Sequence, residues 1–247
     1  MSAECESFEH WFQSALGRQL LATERRAVRQ VLERVFGANQ LELGVSHRVP
    51  VGSLGHCGHR MLAIPAWADH MPAGVVVANP EELPFPSDTL DVVIMHHTLD
   101  FAPYPHQALR EAHRVLRGSG HLVIVGFNPL SSWGLWRLLH RHKKAPWNGR
   151  FIGSRRLDDW LTLLDFGMEM RSFQFFRPPL QSARLLHRLY FLERLMPKRF
   201  ALPTGAFYVV LAEKRVGSMI PLRPRWKRKN VVAFPVANGA HRHRLDE

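Results

Sequence analysis

Two adjacent histidines, His96-His97, are the side chains of this chain best suited to proton chemistry. Imidazole titrates near neutral pH, so either could take a proton from a hydroxyl or an amine. The plainer use of His97 is packing or capping a loop. Asn128, directly before Pro129, could present its amide to a ligand, although Asn-Pro also favours a turn. His47, His56, Cys57 and His59 carry metal-ligand atoms, but their spacing fits no standard zinc template. A chain with 15 histidines produces such clusters by chance, so no metal is expected. Arg225-Trp226-Lys227-Arg228-Lys229 could neutralise phosphates or an anionic membrane surface. Residues 130–144 join a Trp/Leu face to a cationic end, as interfacial helices do, yet Trp133, Trp136 and Leu139 are placed to pack on a sheet, and core packing is the favoured reading.

The elements that must position these groups follow from the apolar pattern. At 247 residues with 46% hydrophobic content, the chain can bury a substantial core, and the expectation is one domain with elaborations. No run of about 18 apolar residues predicts a membrane span. The N-terminal MSAECESFEHWF lacks a signal-peptide pattern, and two cysteines provide no disulfide framework, so a cytoplasmic location is expected. Ser7 is the expected cap of a first helix and Thr23 the start of a second, stopped by Gly37; together, 7–37 reads as a helical cover. Short strands are expected at 41–44, 61–64 and 75–78, then at 91–97 and 121–127, with a helix over 109–116 between the last two. Further helices read at 130–139 and after Ser154, and final strands at 168–176 and 206–213, separated by a helical insertion placed at 178–203. From Glu213 onward nine Lys/Arg oppose three Asp/Glu, half of the net charge of +12. Residues 217–247 therefore read as a basic, disordered tail beyond a domain at 1–216.

Residues 75–127 resemble the second half of a class I methyltransferase dependent on S-adenosylmethionine (SAM), of the type 11 group. Leu83-Pro84-Phe85-Pro86 precedes the fourth strand, Asp91-Val92-Val93 opens it, Leu109-Arg110-Glu111 through Arg114-Val115-Leu116 forms the next helix, and Gly118 and Gly120 lead into the fifth strand. Gly126-Phe127-Asn128-Pro129, Trp133-Gly134-Leu135 and Asp159-Trp160-Leu161 are similar to a narrower group, the YafS-like methyltransferases, over residues 8–213. The resemblance implies an α/β, Rossmann-like, seven-stranded, mostly parallel sheet, with SAM as cofactor and an unidentified methyl acceptor. It assigns cofactor contacts to Glu42, Gly44, Asn79, Leu83, His96 and His97, and catalytic roles to His97 and Asn128. The glycine motif of the first turn begins at Glu42-Leu43-Gly44 but continues Val45-Ser46-His47-Arg48, and Pro65 stands where an acid would take the ribose. Asn79 occupies the place of the acid facing the adenine amino group, and its amide oxygen can accept the same bond. Only 45–60 and 65–74 connect the first three strands, so shortened crossovers are expected. His96-His97-Thr98-Leu99 is not the amino-methyltransferase motif of this position, so DNA base methylation is not expected. The insertion would act as a lid, and the tail would make weak contacts with polyanions or anionic membranes. The alternative function is a degenerate, methyltransferase-like binding or scaffold protein.

Overall fold

Seven strands form one sheet in the order β3-β2-β1-β4-β5-β7-β6. The computed structural model describes residues 2–53, 55–68, 70–139, 146–179 and 203–216. Most of the expected lid insertion and the whole basic tail lie outside them. The chain divides into two units between residues 217 and 218, and the sheet belongs to the first.

The strands are β1 (Asn39–Leu43), β2 (His59–Ile64), β3 (Val75–Val77), β4 (Leu90–His96), β5 (Leu116–Phe127), β6 (Phe166–Gln174) and β7 (Phe207–Lys214). β1 to β5 pair in parallel, whereas β7 runs antiparallel between β5 and β6. All seven residues of β4 are buried, as expected of a central strand covered on both faces. Alternation sorts its side chains: Val92 and Ile94 enter one apolar layer, Val93 and Met95 the other.

The helices, in chain order, are α1 (Ser2–Phe12), α2 (Ala15–Leu32), α3 (Thr98–Phe101), α4 (Pro105–Val115), α5 (Ser132–Leu139) and α6 (Ser154–Leu163). α4 and α6 cover the second layer. The first layer is covered differently. Among the described residues no helix joins β1 to β2 or β2 to β3, in line with the shortened crossovers. α1 and α2 take that face instead, with Phe8, Phe12, Leu16, Leu20, Val28 and Val31 in the core. Val45, Val49 and Val51 of the β1–β2 loop complete it.

The N-terminal helices start elsewhere than the sequence suggests. Ser7 lies inside α1, and Ser14 caps α2 by accepting from Gly17 N at 3.0 Å. Thr23 sits within α2, its hydroxyl donating to Gln19 O. The apolar stripe Leu16-Leu20-Ala27 is continuous through it, so α2 runs unbroken for 18 residues. Ser154 is likewise the first helical residue of α6, after an N-cap at Gly153.

Candidate active site

Beneath the cover, a buried polar relay joins α2 to the carboxyl end of β4. Glu24, His96 and His97 side chains are all 0% exposed. The Glu24 carboxylate takes His96 Nε2 at 3.1 Å on one oxygen and His97 Nε2 at 2.9 Å on the other. His97 Nδ1 lies 2.7 Å from Asp100 Oδ2, and that same oxygen accepts from Phe127 N at 3.0 Å. Each end of the chain of bonds is thereby fixed to a different element.

The charges reinforce one another. Burial alone would raise the Glu24 carboxyl, but the neighbouring His97 charge and the bonds from both histidines bring it down to about 2. Burial alone would lower His97, but the Glu24 charge and the bonds with Asp100 and Glu24 raise it to about 9. Burial also pushes the Asp100 carboxyl up, against the pull of His97. His97 is therefore an imidazolium held between two carboxyl groups. Its backbone is left-handed, with φ 53° and ψ 12°, a conformation costing on the order of 1 kcal/mol outside glycine. Phe8 meets the ring edge-on at 5.3 Å and Phe127 stacks on it at 4.1 Å, sealing it from solvent. Glu24, His96 and His97 are also the described side chains whose metal-ligand atoms gather, within 4.8 Å, but their mutual hydrogen bonds already use those atoms. His47, His56, Cys57 and His59 form no such group among the described residues.

On an open parallel sheet, ligands sit at the carboxyl edge where strand order reverses, here between β1 and β4. Thr98 Oγ1 ties that edge together by donating to Leu43 O at 2.8 Å. The slot beside it, lined by Gly44, Val45, Ala63, Pro65, Ala78 and Phe101, has a cavity volume of about 20 Å³. That is room for about one water, so the slot admits no nucleoside. Val45 also lines a wider cleft of about 520 Å³, whose walls include Glu6, Glu9 and His10 of α1, Arg48 of the loop, and Trp67. Glu9 pairs with Arg48 at 3.0 Å, and Trp67 is 75% exposed. The cleft has the size of a small-molecule site, about 300–1,000 Å³. Carboxylates, an arginine and an open indole suit a flat-ringed ligand carrying both charges, so the residues of this cleft fit SAM where those of the slot do not.

The residues singled out from sequence are distributed unevenly around this edge. Gly44 lines the slot. Glu42 is buried and its two oxygens accept from Val51 N and Gly52 N, both at 2.8 Å, so it shapes the β1–β2 loop from within. Burial raises its carboxyl, and these bonds oppose the shift. Asn79 is exposed, its side-chain oxygen engaged by Glu81 N in a local turn. Leu83 is core, and its N–H donates to Glu111. His96 and His97 lie in the relay and line neither the slot nor the cleft. Asn128 is 1% exposed and fully used: its amide nitrogen donates to Pro203 O and Gly205 O, and its oxygen accepts from Leu130 N. The side-chain polar atoms of Glu42, Asn128 and His97 and Nε2 of His96 thus have internal partners, whereas His96 Nδ1 is buried without one. Sequence reasoning missed Glu24. Its signal was a carboxylate between Leu20 and Val28 on the apolar stripe of a helix, a place that demands a buried partner.

Residues 59–124, which run from β2 into β5, match the family model Methyltransf_11, described as a methyltransferase domain. The sheet has the fold of solved SAM-dependent methyltransferases. A SAM-dependent methyltransferase of Thermotoga maritima superposes with a TM-score of 0.64 at 20% identity, covering 87% of this chain and 98% of that one. The uncharacterized protein YafS of Escherichia coli is 47% identical over 92 residues, 37% of this chain and 38% of YafS. The uncharacterized protein Rv2003c of Mycobacterium tuberculosis is 32% identical over 181 residues, 71% of this chain and 63% of that protein. The chain thus spans less than two thirds of the length of either curated relative. No helix among the described residues is long and apolar enough to cross a membrane.

Proposed function

We propose that this chain is a SAM-dependent methyltransferase acting on an unidentified acceptor, with the cofactor held in the 520 Å³ cleft at the carboxyl edge of β1 and β2. What carries the reading is the coincidence of the methyltransferase-domain match, on β2 to β5, with a charged cleft of suitable size at the sheet edge where this architecture binds ligands. The bound cofactor supplies an electrophilic methyl group on a sulfonium. The chain's own work is placement. Glu6 sets negative charge against that cation, the Glu9–Arg48 pair presents both charges on the wall, Trp67 offers a ring face, and α1 walls the cleft against water. Transfer to a nucleophilic acceptor needs orientation more than acid–base power, so the buried relay acts through positioning: it clamps α2, and with it the cover, onto the end of β4. The roles expected of His97 and Asn128 become positioning roles in this reading. A cytosolic location, and weak polyanion or anionic-membrane contact through residues 217–247, belong to the same reading, supported by the free buried thiol of Cys57 and by the Lys/Arg surplus of that segment.

The test is ligand-induced stabilisation. SAM or S-adenosylhomocysteine, bound only by the native state, should raise the Tm of the purified protein in a dose-dependent way. A Cβ at Gly44 would stand 3.4 Å from Leu62 Cδ1, an ordinary contact, so Gly44→Val should fold. Its branched side chain would enter the slot rather than the cleft, so the shift should persist in Gly44→Val and be lost in Trp67→Ala, which strips the exposed indole from the cleft wall. Absence of both a Tm shift and calorimetric heat at millimolar ligand would favour a binding or scaffold protein on a methyltransferase fold. A shift lost in folded Gly44→Val but kept in Trp67→Ala would place the cofactor in the slot instead of the cleft.

A further inference from the structure

A second, larger cleft lies on the face of the sheet covered by α4 and α6. Its volume is about 760 Å³, and its walls carry Arg110, Arg137, Arg150 and Arg156 together with His106, with no aspartate or glutamate among its lining residues. Four like charges around one space repel each other, and most surface arginines relieve this with a carboxylate. Here none of the four forms a salt bridge with a described residue. Instead, three are fixed by neutral partners. Arg137 sits 5.0 Å over the Phe151 ring and donates from Nε to Trp147 O at 2.8 Å. Arg156 lies 5.3 Å over the Trp160 ring. Arg150 donates to Pro103 O at 2.9 Å. Stacking and carbonyl bonds hold guanidinium planes without neutralising them, so three of the four are ordered before any anion arrives.

The backbone adds positive potential in the same place. α4 and α6, of 11 and 10 residues, both begin at this cleft, through Tyr104 and Pro105 in one and Gly153 in the other. Neither has a side-chain cap or an acidic residue in its first turn; at α4 the Glu81 carboxylate accepts from Tyr104 N at 2.7 Å, so the added positive potential comes from the start of α6. Arginine rather than lysine on every wall is also informative, since a planar fork matches the paired oxygens of a phosphoryl group. The exposed ring of Tyr104, 69% accessible, stands at the rim.

We infer that this cleft is a binding site for a small organic phosphate or diphosphate. The inference stands on the arginine cleft alone and does not depend on methyl transfer. Pro103 lines it and the adjoining Ala102 lines the slot at the sheet edge, so an anchored ligand would lie one loop away from that edge.

The experiment is calorimetric titration of the full chain with inorganic pyrophosphate, and with phenyl phosphate as a ring-bearing probe, at low and at about 0.5 M salt. Saturable binding in the micromolar to sub-millimolar range, weakened by salt, is expected. Arg110 and Arg156 are exposed, so Arg110→Ala/Arg156→Ala should keep the wild-type Tm and lose at least tenfold in affinity. Arg29→Ala, exposed on α2 at the opposite face, should bind as wild type. Citrate separates phosphate recognition from general attraction to anions, and is expected to bind at least tenfold more weakly than pyrophosphate. No heat with either phosphate probe at about 5 mM would overturn the assignment. So would affinity that survives the double variant, an equal loss in Arg29→Ala, or citrate binding as tightly as pyrophosphate. Binding to short RNA or to phosphatidylglycerol vesicles without binding to either small probe would also overturn it, and would assign the arginines to a macromolecular surface.

Discussion

Replacing Glu24 by glutamine tests whether the relay under the cover is held by charge. The carboxylate is wholly buried and accepts from two histidines at 2.9 and 3.1 Å. Glutamine keeps the shape and can accept from one histidine while donating to an unprotonated ring nitrogen of the other, so what it removes is the Glu24 counter-charge of His97. Removing one member of a buried ion pair costs about 3–5 kcal/mol. At roughly 2–4 °C per kcal/mol for a domain of this size, Tm should fall by roughly 10 °C near pH 6. The sign of the pH dependence is set by both partners. His97 is raised from its ordinary 6.5 to about 9, so its contribution is complete below 6.5 and disappears as pH rises through 9. Glu24 is lowered from 4.5 to about 2, so its contribution is complete above 4.5 and disappears as pH falls through 2. Wild type should therefore draw full benefit from the pair between pH 4.5 and 6.5, and the cost of Glu24→Gln should shrink by about pH 9.5. Asp100 and His96 are the other titratable groups at this point and stay in place in the variant. Denaturant unfolding of both proteins at about pH 6 and 9.5 measures the difference. A cost below about 1 kcal/mol at pH 6, or one identical at the two pH values, would refute a charge-held relay.

Three further outcomes rest on single contacts. The Tyr208 hydroxyl is buried without a hydrogen-bond partner, so Tyr208→Phe should be neutral or stabilise by about 1 kcal/mol; a clear loss in chemical denaturation would reveal a partner. A Cβ on Gly52 would lie 2.5 Å from Ile94 Cδ1 and 2.9 Å from Glu42 Oε2, so Gly52→Ala should cost about 1–3 kcal/mol and loosen the β1–β2 loop, read as faster amide exchange at Val51. Asn128→Ala removes three bonds joining the end of β5 to Leu130, Pro203 and Gly205, and should cost about 2–4 kcal/mol in unfolding free energy; a loss under about 0.5 kcal/mol would make Asn128 a candidate ligand contact again.

The sheet was legible in the sequence. Alternating or continuous apolar runs marked all seven strands, the segment 75–127 carried the family likeness, and the short 45–60 and 65–74 connections pointed to shortened crossovers. Periodicity is local, and these features are local. It also marked α2 as amphipathic, yet could not say that its one buried acid meets His96 and His97, 72 and 73 residues away. Nor could it show that Asn79 is turned into its own loop, or that Asn128 has no free polar atom. Arg110, Arg137, Arg150 and Arg156 are scattered in sequence until α4, α5, α6 and the α5–α6 connection bring them around one cleft. Hydrophobic pattern specifies which face of an element is buried, whereas the partner across that face is chosen by the packing of the whole chain. Functional polar groups are decided at that second step, because what each can do depends on whether a neighbour has already taken its hydrogen bonds.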